Sequence, residues 1–214
     1  MGAGARGERN GWYHRLYARL LTRFSAKYEP MVATRKAELF EGVGGEVIEI
    51  GPGGGVNLRF LGGGARWVGV DPNPYVEPYL RREAERRGVS AQFRLGSAEE
   101  LPAETDSADA VLSTLVLCGV SDIDRALAEI LRVLKPGGRF YFVEHVAAPP
   151  GTSTRRRQNW VCPVWKRLAD GCHPNRESWL HIEQAGFATV SYDRFRLDLP
   201  IAGPHIAGYA EKGK

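Results

Sequence analysis

Apolar positions along this chain follow two periods that alternate. Trp12, Tyr13, Leu16, Tyr17, Leu20, Leu21 and Phe24 recur at helical spacing, with Arg15, Arg19 and Arg23 between them. That pattern predicts an amphipathic helix from Trp12 to Phe24. Pro30 predicts a break, and a second helix is expected from Met31 to Phe40 before Gly42, Gly44 and Gly45 release the chain. From Val47 onward, short apolar runs alternate with helical stripes. The runs are Val47–Ile50, Trp67–Val70, about Gln92–Leu95, Asp109–Thr114 and Arg139–Glu144. A charged helix is expected from Val76 to Arg87, closed by Gly88. Ile123, Ala126, Leu127, Ile130, Leu131 and Leu134 form a second stripe. Ser121 is its expected cap, with Asp124 at the capping-box position, and Lys135-Pro136-Gly137-Gly138 its expected end. Residues 149–174 break the rhythm and read as an insertion with helices of its own. A helix over Glu177–Ala185 and two late strands, Ala188–Tyr192 and Ile206–Glu211, complete the pattern. Strands alternating with helices predict an α/β fold: a seven-stranded, mostly parallel sheet with helices on both faces.

The 214 residues, 43% of them apolar, suffice for one sizeable core. The organisation read here is a disordered leader over residues 1–11, N-terminal helices over 12–45, and one domain over 46–214. Although the net charge is +4, 25 acidic residues offset 29 basic ones. No dense basic surface results, so no nucleic-acid partner is expected. Three cysteines without a secretory signal argue for a reducing, cytoplasmic setting. Cys162 precedes Cys172 by ten residues, and Cys172 adjoins His173. Neither spacing matches a zinc site, so no metal is expected. No run approaches the ~18 apolar residues of a transmembrane segment. The basic, aromatic first helix is either a lid over a ligand or a peripheral membrane contact. The sequence leaves the oligomeric state open.

The chemistry concentrates in Val47-Ile48-Glu49-Ile50-Gly51-Pro52-Gly53-Gly54-Gly55, followed by Val68-Gly69-Val70-Asp71. A buried strand ends in a glycine loop, and a second ends in an acid 20 residues after the first glycine. This is how a Rossmann-like sheet meets an adenosine: glycines admit the backbone, and the carboxylate accepts the ribose hydroxyls. A dinucleotide fingerprint needs a sixth-position glycine, where Val56 or Leu58 stands. A P-loop needs Gly-Lys-Ser/Thr, which is missing.

What remains, Glu49-x-Gly51-x-Gly53-x-Gly55, resembles the first motif of class I S-adenosyl-L-methionine (SAM) methyltransferases. The acid ending strand two, the Ser97-Ala98-Glu99 turn, the apolar fourth strand and Leu134-Lys135-Pro136-Gly137-Gly138 fit the same class. More narrowly, the chain resembles the methyltransferase-like seven family, the microsomal alkyl-thiol methyltransferases. The segments that carry this are Asp71-Pro72-Asn73-Pro74, Thr114-Leu115-Val116-Leu117-Cys118, Phe140 to Ala148, Asp170-Gly171-Cys172, Arg176-Glu177-Ser178-Trp179 and Pro204 to Ala210. Two features depart from the family. Its animal members begin with a hydrophobic anchor, and this chain has no such span. Pro52 also removes a backbone donor from the first loop.

The resemblance implies SAM as methyl donor, S-adenosyl-L-homocysteine as product, and a small apolar acceptor, an alkyl thiol. C- or O-methylation of a quinone, lipid or natural product is the alternative on this scaffold; a non-catalytic SAM-binding protein is a third. The expected cofactor residues are Glu49 toward the ammonium, Gly51, Gly53, Gly55 and Asn57 at the carboxylate end, and Asp71 on the ribose. Pro72, Asn73, Ser97, Ala98 and Glu99 are expected around the adenine, with Thr114 and Leu115 near the methyl group. On the acceptor side the expected residues are Leu117, Cys118, His145, Trp179 and His205, with Trp160 and Trp165 as further walls of an apolar pocket. His145, ending strand five at the same sheet edge, is the expected proton acceptor.

Overall fold

The apolar runs become β1 (Glu46–Ile50), β2 (Arg66–Asp71), β3 (Ala91–Leu95), β4 (Ala108–Thr114) and β5 (Leu134–His145), followed by β6 (Thr189–Arg196) and β7 (Pro204–Glu211). They form one sheet in the order β3-β2-β1-β4-β5-β7-β6. Only β7 is reversed, antiparallel to both of its neighbours. The central strand β1 sets Val47 beside Trp67 on one side and Ala110 on the other. Strand order turns at β1, so the crevice beyond the carboxyl ends of β1 and β4 is where an open α/β sheet holds its ligand. The structure, a computed structural model, describes residues 11–61 and 64–214. The expected leader falls outside these residues except for Gly11, which opens the first helix.

The helices are α1 (Gly11–Leu39), α2 (Glu77–Arg87), α3 (Ile123–Val133), α4 (Ser153–Leu168) and α5 (Ser178–Gln184). One face of the sheet packs Trp67 and Leu112 against Tyr28, Val32 and Phe40 from the N-terminal segment and Leu80 from α2. The other packs Phe140 and Phe142 against Leu127 and Ile130 of α3 and Trp179 and Ile182 of α5. Among the described residues, no helix is long and apolar enough to cross a membrane.

Three local expectations are corrected. Pro30 does not divide the N-terminal segment; α1 is one 29-residue helix with Pro30 inside it. Pro30 lies on the exposed side, while Ala18, Tyr28, Glu29, Val32 and Lys36 bury the opposite side on both flanks of it. That burial outweighs the lost backbone hydrogen bond. The cap of α3 is Asp122 rather than Ser121: the Asp122 carboxylate accepts from the Arg125 N–H at 3.0 Å, while the Ser121 N–H donates to Glu99. Finally, Lys135–Gly138 belongs to β5. Ala108 already pairs with Leu134, and the register then shifts so that Ala110 meets Arg139.

The insertion forms α4, started by Thr152, whose hydroxyl accepts from the Arg155 N–H at 3.2 Å. Buried Gln158 ties it to the sheet. Its amide oxygen accepts from Ala148 N–H at 2.8 Å, and its NH2 donates to the Val146 and Ile201 carbonyls.

Candidate active site

Four strand ends and one helix enclose a cavity of about 900 Å³. Gly51 and Gly53 follow β1, Asp71 closes β2, Ser97 follows β3, and Thr114, Leu115 and Val116 leave β4. His14, Tyr17, Leu21, Phe24 and Tyr28 of α1 form the roof. The volume lies at the upper end of small-molecule sites, enough for a cofactor and a small second substrate. The backbone is shaped to admit a ligand. Gly51, Gly53 and Gly55 all have φ between 51° and 76°, and a Cβ at Gly51 would meet Val116 Cγ2 at 2.5 Å. Leu115 is also left-handed, at φ 57°. A branched residue held there marks stored strain. Its N–H donates to Val143 carbonyl at 3.0 Å, and the next N–H, from Val116, donates to the Glu144 carboxylate at 3.0 Å.

A buried polar chain backs the glycine loop. The Lys36 ammonium donates to the Glu29 carboxylate and to Asn57 Oδ1 at 2.9 Å. Asn57 Nδ2 donates to Glu49 Oε1 at 2.8 Å and to the Thr114 hydroxyl at 3.1 Å. Trp67 Nε1 donates to the second Glu49 oxygen at 3.0 Å, and Arg59 closes the far end on Glu29. Burial raises the Glu49 pKa to about 7, against the hydrogen bonds of Asn57 and Trp67. Burial also pulls the Lys36 ammonium down, opposed chiefly by Glu29. After Gly55 the chain makes a short 3-10 turn, Val56–Phe60. Asn57 is fully buried within it, so it serves Glu49 and Thr114 with its side chain.

Asp71 lies on the cavity wall, and its Oδ1 accepts the Asn73 N–H at 2.8 Å. Burial raises its pKa to about 6, partly countered by N–H groups of Asn73 and Gly53. Pro72, Asn73, Ser97, Ala98 and Glu99 line the same end. Glu99 already accepts the Ser121 N–H at 2.8 Å, which turns one of its oxygens toward the start of α3. This half of the cavity has what an adenosine needs: a buried acid at a strand end beside glycines in left-handed conformations.

The acceptor-side expectations are partly corrected. Leu117 points into the core with no exposure. Trp179 is buried against the sheet with Arg194 stacked over it at 4.3 Å, and Trp160 is 84% exposed; neither walls the cavity. His205 is buried between Tyr28 and Phe195, with Nδ1 on the Gly203 carbonyl at 2.9 Å. Burial lowers its pKa to about 4, which disfavours its charged form. His145 is also buried behind the wall, and its Nε2 meets Cys172 Sγ at 3.1 Å. Trp165 Nε1 donates to the same sulfur at 3.3 Å. Cys118 completes the group and is likewise buried. The hydrogen bond from Cys118, with help from His145 and Trp165, draws Cys172 down to about 4, while the same bond and burial push Cys118 up. Asp170 and Gly171, beside Cys172, reach the cavity surface.

Sequence reading missed Lys36, Glu29 and Cys172. No pattern in the sequence marks Glu29 and Lys36 as buried, and Cys172 lies in the insertion, where no periodicity guides.

The comparisons agree with this geometry. A family model described as a methyltransferase domain matches residues 48–142. Human thiol S-methyltransferase TMT1A is 39% identical over 205 residues, covering 90% of this chain and 84% of that protein. Thiol S-methyltransferase TMT1B of Rattus norvegicus is 38% identical over 208 residues, with the same coverage. Among solved structures, a SAM-dependent methyltransferase from Thermotoga maritima superposes with a TM-score of 0.65 at 21% identity, over 94% of this chain and 99% of that one. With SAM as its methyl donor, this chain belongs to the class I SAM-dependent methyltransferases, in the family that includes the thiol S-methyltransferases TMT1A and TMT1B.

Proposed function

We propose that this enzyme transfers the methyl group of SAM to the sulfur of a small apolar thiol. The observation that carries this reading is the reach of the similarity. The methyltransferase model stops at residue 142, whereas the match to a thiol S-methyltransferase extends over 90% of the chain. It therefore takes in the elements that surround the acceptor as well as those that hold the donor. The roof supports the same reading: Tyr17, Leu21, Phe24 and Tyr28 face the cavity and suit an apolar body better than a charged one.

Methyl transfer is an in-line displacement at a sulfonium carbon, a reactivity that SAM itself supplies. The protein aligns the two sulfurs and keeps water out. Glu49, the glycine loop and Asp71 fix the donor. His145 is the base that takes the acceptor thiol's proton, and Cys172 Sγ, 3.1 Å from its Nε2, holds the imidazole in place.

A release assay for S-adenosyl-L-homocysteine with alkyl thiol, phenol and quinone acceptors tests the function. Turnover is expected with alkyl thiols; turnover confined to phenols or quinones overturns the reading. His145→Ala is expected to slow alkyl thiols by about tenfold or more, below the ~10²–10⁴ span of general-base effects, because a thiol of pKa about 8.5 is partly ionised at neutral pH. The loss should shrink with acidic aryl thiols. Equal losses on all thiols would make His145 a packing residue only.

The first half of α1 is the lid in this reading. Removing residues 1–24 takes away His14, Tyr17, Leu21 and Phe24 but leaves Glu29 and Lys36 in place. The truncated protein should fold, bind SAM more weakly and turn over little. If it keeps full activity on dissolved thiols and instead loses binding to anionic vesicles, the helix is a membrane contact.

A further inference from the structure

We propose that Cys118 Sγ, His145 Nε2 and Cys172 Sγ form a binding site for a thiophilic divalent cation of the zinc class, with a fourth position left for the sulfur of the acceptor. The inference rests on the thiol reading for that fourth ligand only.

The three donor atoms come from separate parts of the chain: the turn after β4, the end of β5 and the loop after α4. All lie within 4.8 Å of one another. Tetrahedral zinc, with Zn–S of about 2.3 Å and Zn–N of about 2.0–2.1 Å, sets S···S near ~3.8 Å and S···N near ~3.5 Å. The His145–Cys172 separation of 3.1 Å needs only a few tenths of an ångström of adjustment. Two sulfurs and an imidazole are soft donors that favour zinc over magnesium or calcium. Three protein ligands are the number found where zinc acts on a substrate, since structural sites close with four.

The frame is built independently of any ion. His173 N–H donates to the Cys118 carbonyl at 2.8 Å, which joins the two cysteine loops. The Arg176 guanidinium donates to the Leu117 and Val120 carbonyls at 2.6 and 2.7 Å, on either side of Cys118. Cys172 N–H donates to the Ala169 carbonyl at 2.9 Å. Trp165 Nε1 adds an outer hydrogen bond to the Cys172 sulfur, the kind of support that tunes a metal ligand. Gly119 and Gly171, the chain neighbours of Cys118 and Cys172, both line the cavity. An ion among the three donors would therefore border the cavity at Gly119 and Gly171, within reach of the acceptor's sulfur. A thiol that coordinates such an ion loses its proton outright. In the loaded enzyme, coordination would ionise the acceptor and release its proton to solvent, in place of transfer to His145.

The test uses the full chain, reduced and stripped with a chelator, then titrated with Co²⁺ and Zn²⁺. One Co²⁺ per chain should bind and give a thiolate-to-cobalt charge-transfer band in the near ultraviolet, displaced by one Zn²⁺. Cys172→Ser should abolish the band. Cys162→Ser should keep it, since Cys162 contacts Asn175 outside the cluster. Trp165→Phe should weaken the ion's affinity by about 10–100-fold. An added alkyl thiol should shift the band. No band with the wild-type chain, or an unchanged band in Cys172→Ser, overturns the site. A band that ignores added thiol overturns the fourth-ligand role. A metal-free enzyme that still methylates alkyl thiols at the full rate leaves the function standing and removes the ion from it. An enzyme that binds the ion but methylates no thiol has lost the function, not the site.

Discussion

Asp71→Ala is expected to weaken SAM binding by more than about 100-fold while the fold persists. In the proposed reading the carboxylate is the charged acceptor for two ribose hydroxyls, and each such hydrogen bond is worth about 1.5–3 kcal/mol. The same residue sets a pH dependence. Its pKa is raised to about 6 by burial, and the bound state needs the carboxylate. Affinity should therefore hold above pH 6 and fall as the pH drops through it, approaching about tenfold per unit. Asp71→Asn should remove this dependence. The stability effect has the opposite sign. Because the folded pKa lies above the unfolded one, the buried charge destabilises the fold fully above about pH 6 and not at all below the ordinary aspartate range. Asp71→Asn should therefore melt higher than the parent at pH 7.5 yet bind SAM less well. Calorimetry across pH 5–8 and a melting curve measure both. Unchanged affinity in a folded Asp71→Ala protein would dismiss Asp71 as the ribose clamp.

Lys36→Met should be among the most destabilising single changes in the chain. Lys36 has no exposure, and its ammonium holds both Glu29 and Asn57. Removing one partner of a buried ion pair costs about 3–5 kcal/mol. Arg59 still faces Glu29 at 2.7 Å, which favours the lower end. At ~2–4 °C per kcal/mol for a chain of this size, the midpoint should fall by about 6–12 °C. Lys36→Met with Glu29→Leu should recover part of the loss, because the stranded carboxylate is gone. A single variant that melts within about 2 °C of the parent would show that the pair contributes nothing.

The geometry of the glycine loop and of Asp71 was legible because its determinants are local. Gly51, Gly53 and Asp71 sit at strand ends that hydrophobic runs alone mark, and their spacing is a property of one β-loop-β stretch. The cluster of Cys118, His145 and Cys172 was not, because it is assembled from afar. Cys118, His145 and Cys172 meet only after β4, β5 and the loop beyond α4 are in place, so no spacing rule could pair them. Trp179 and His205 misled for a related reason. Both are near the right sheet edge in the chain, yet an aromatic ring on a packed element belongs to the core unless something draws it out. Lys36 was hidden by its helix, where periodicity assigns charges to water. Pro30 was overread as a break because burial on both flanks of α1 cannot be seen in the sequence.

The contacts of α1 carry a consequence for how the enzyme is made. Tyr28 stacks on His205 of β7 at 5.7 Å, and Arg35 lies over Phe195 of β6 at 4.3 Å. Helix α1 is thus seated by strands that follow it in the chain only after β1 to β5. On the ribosome, the glycine loop and Asp71 emerge early, but α1 gains its final seat only when the C-terminal hairpin leaves the exit tunnel. A nascent chain can present the floor of the proposed donor site before its roof is seated.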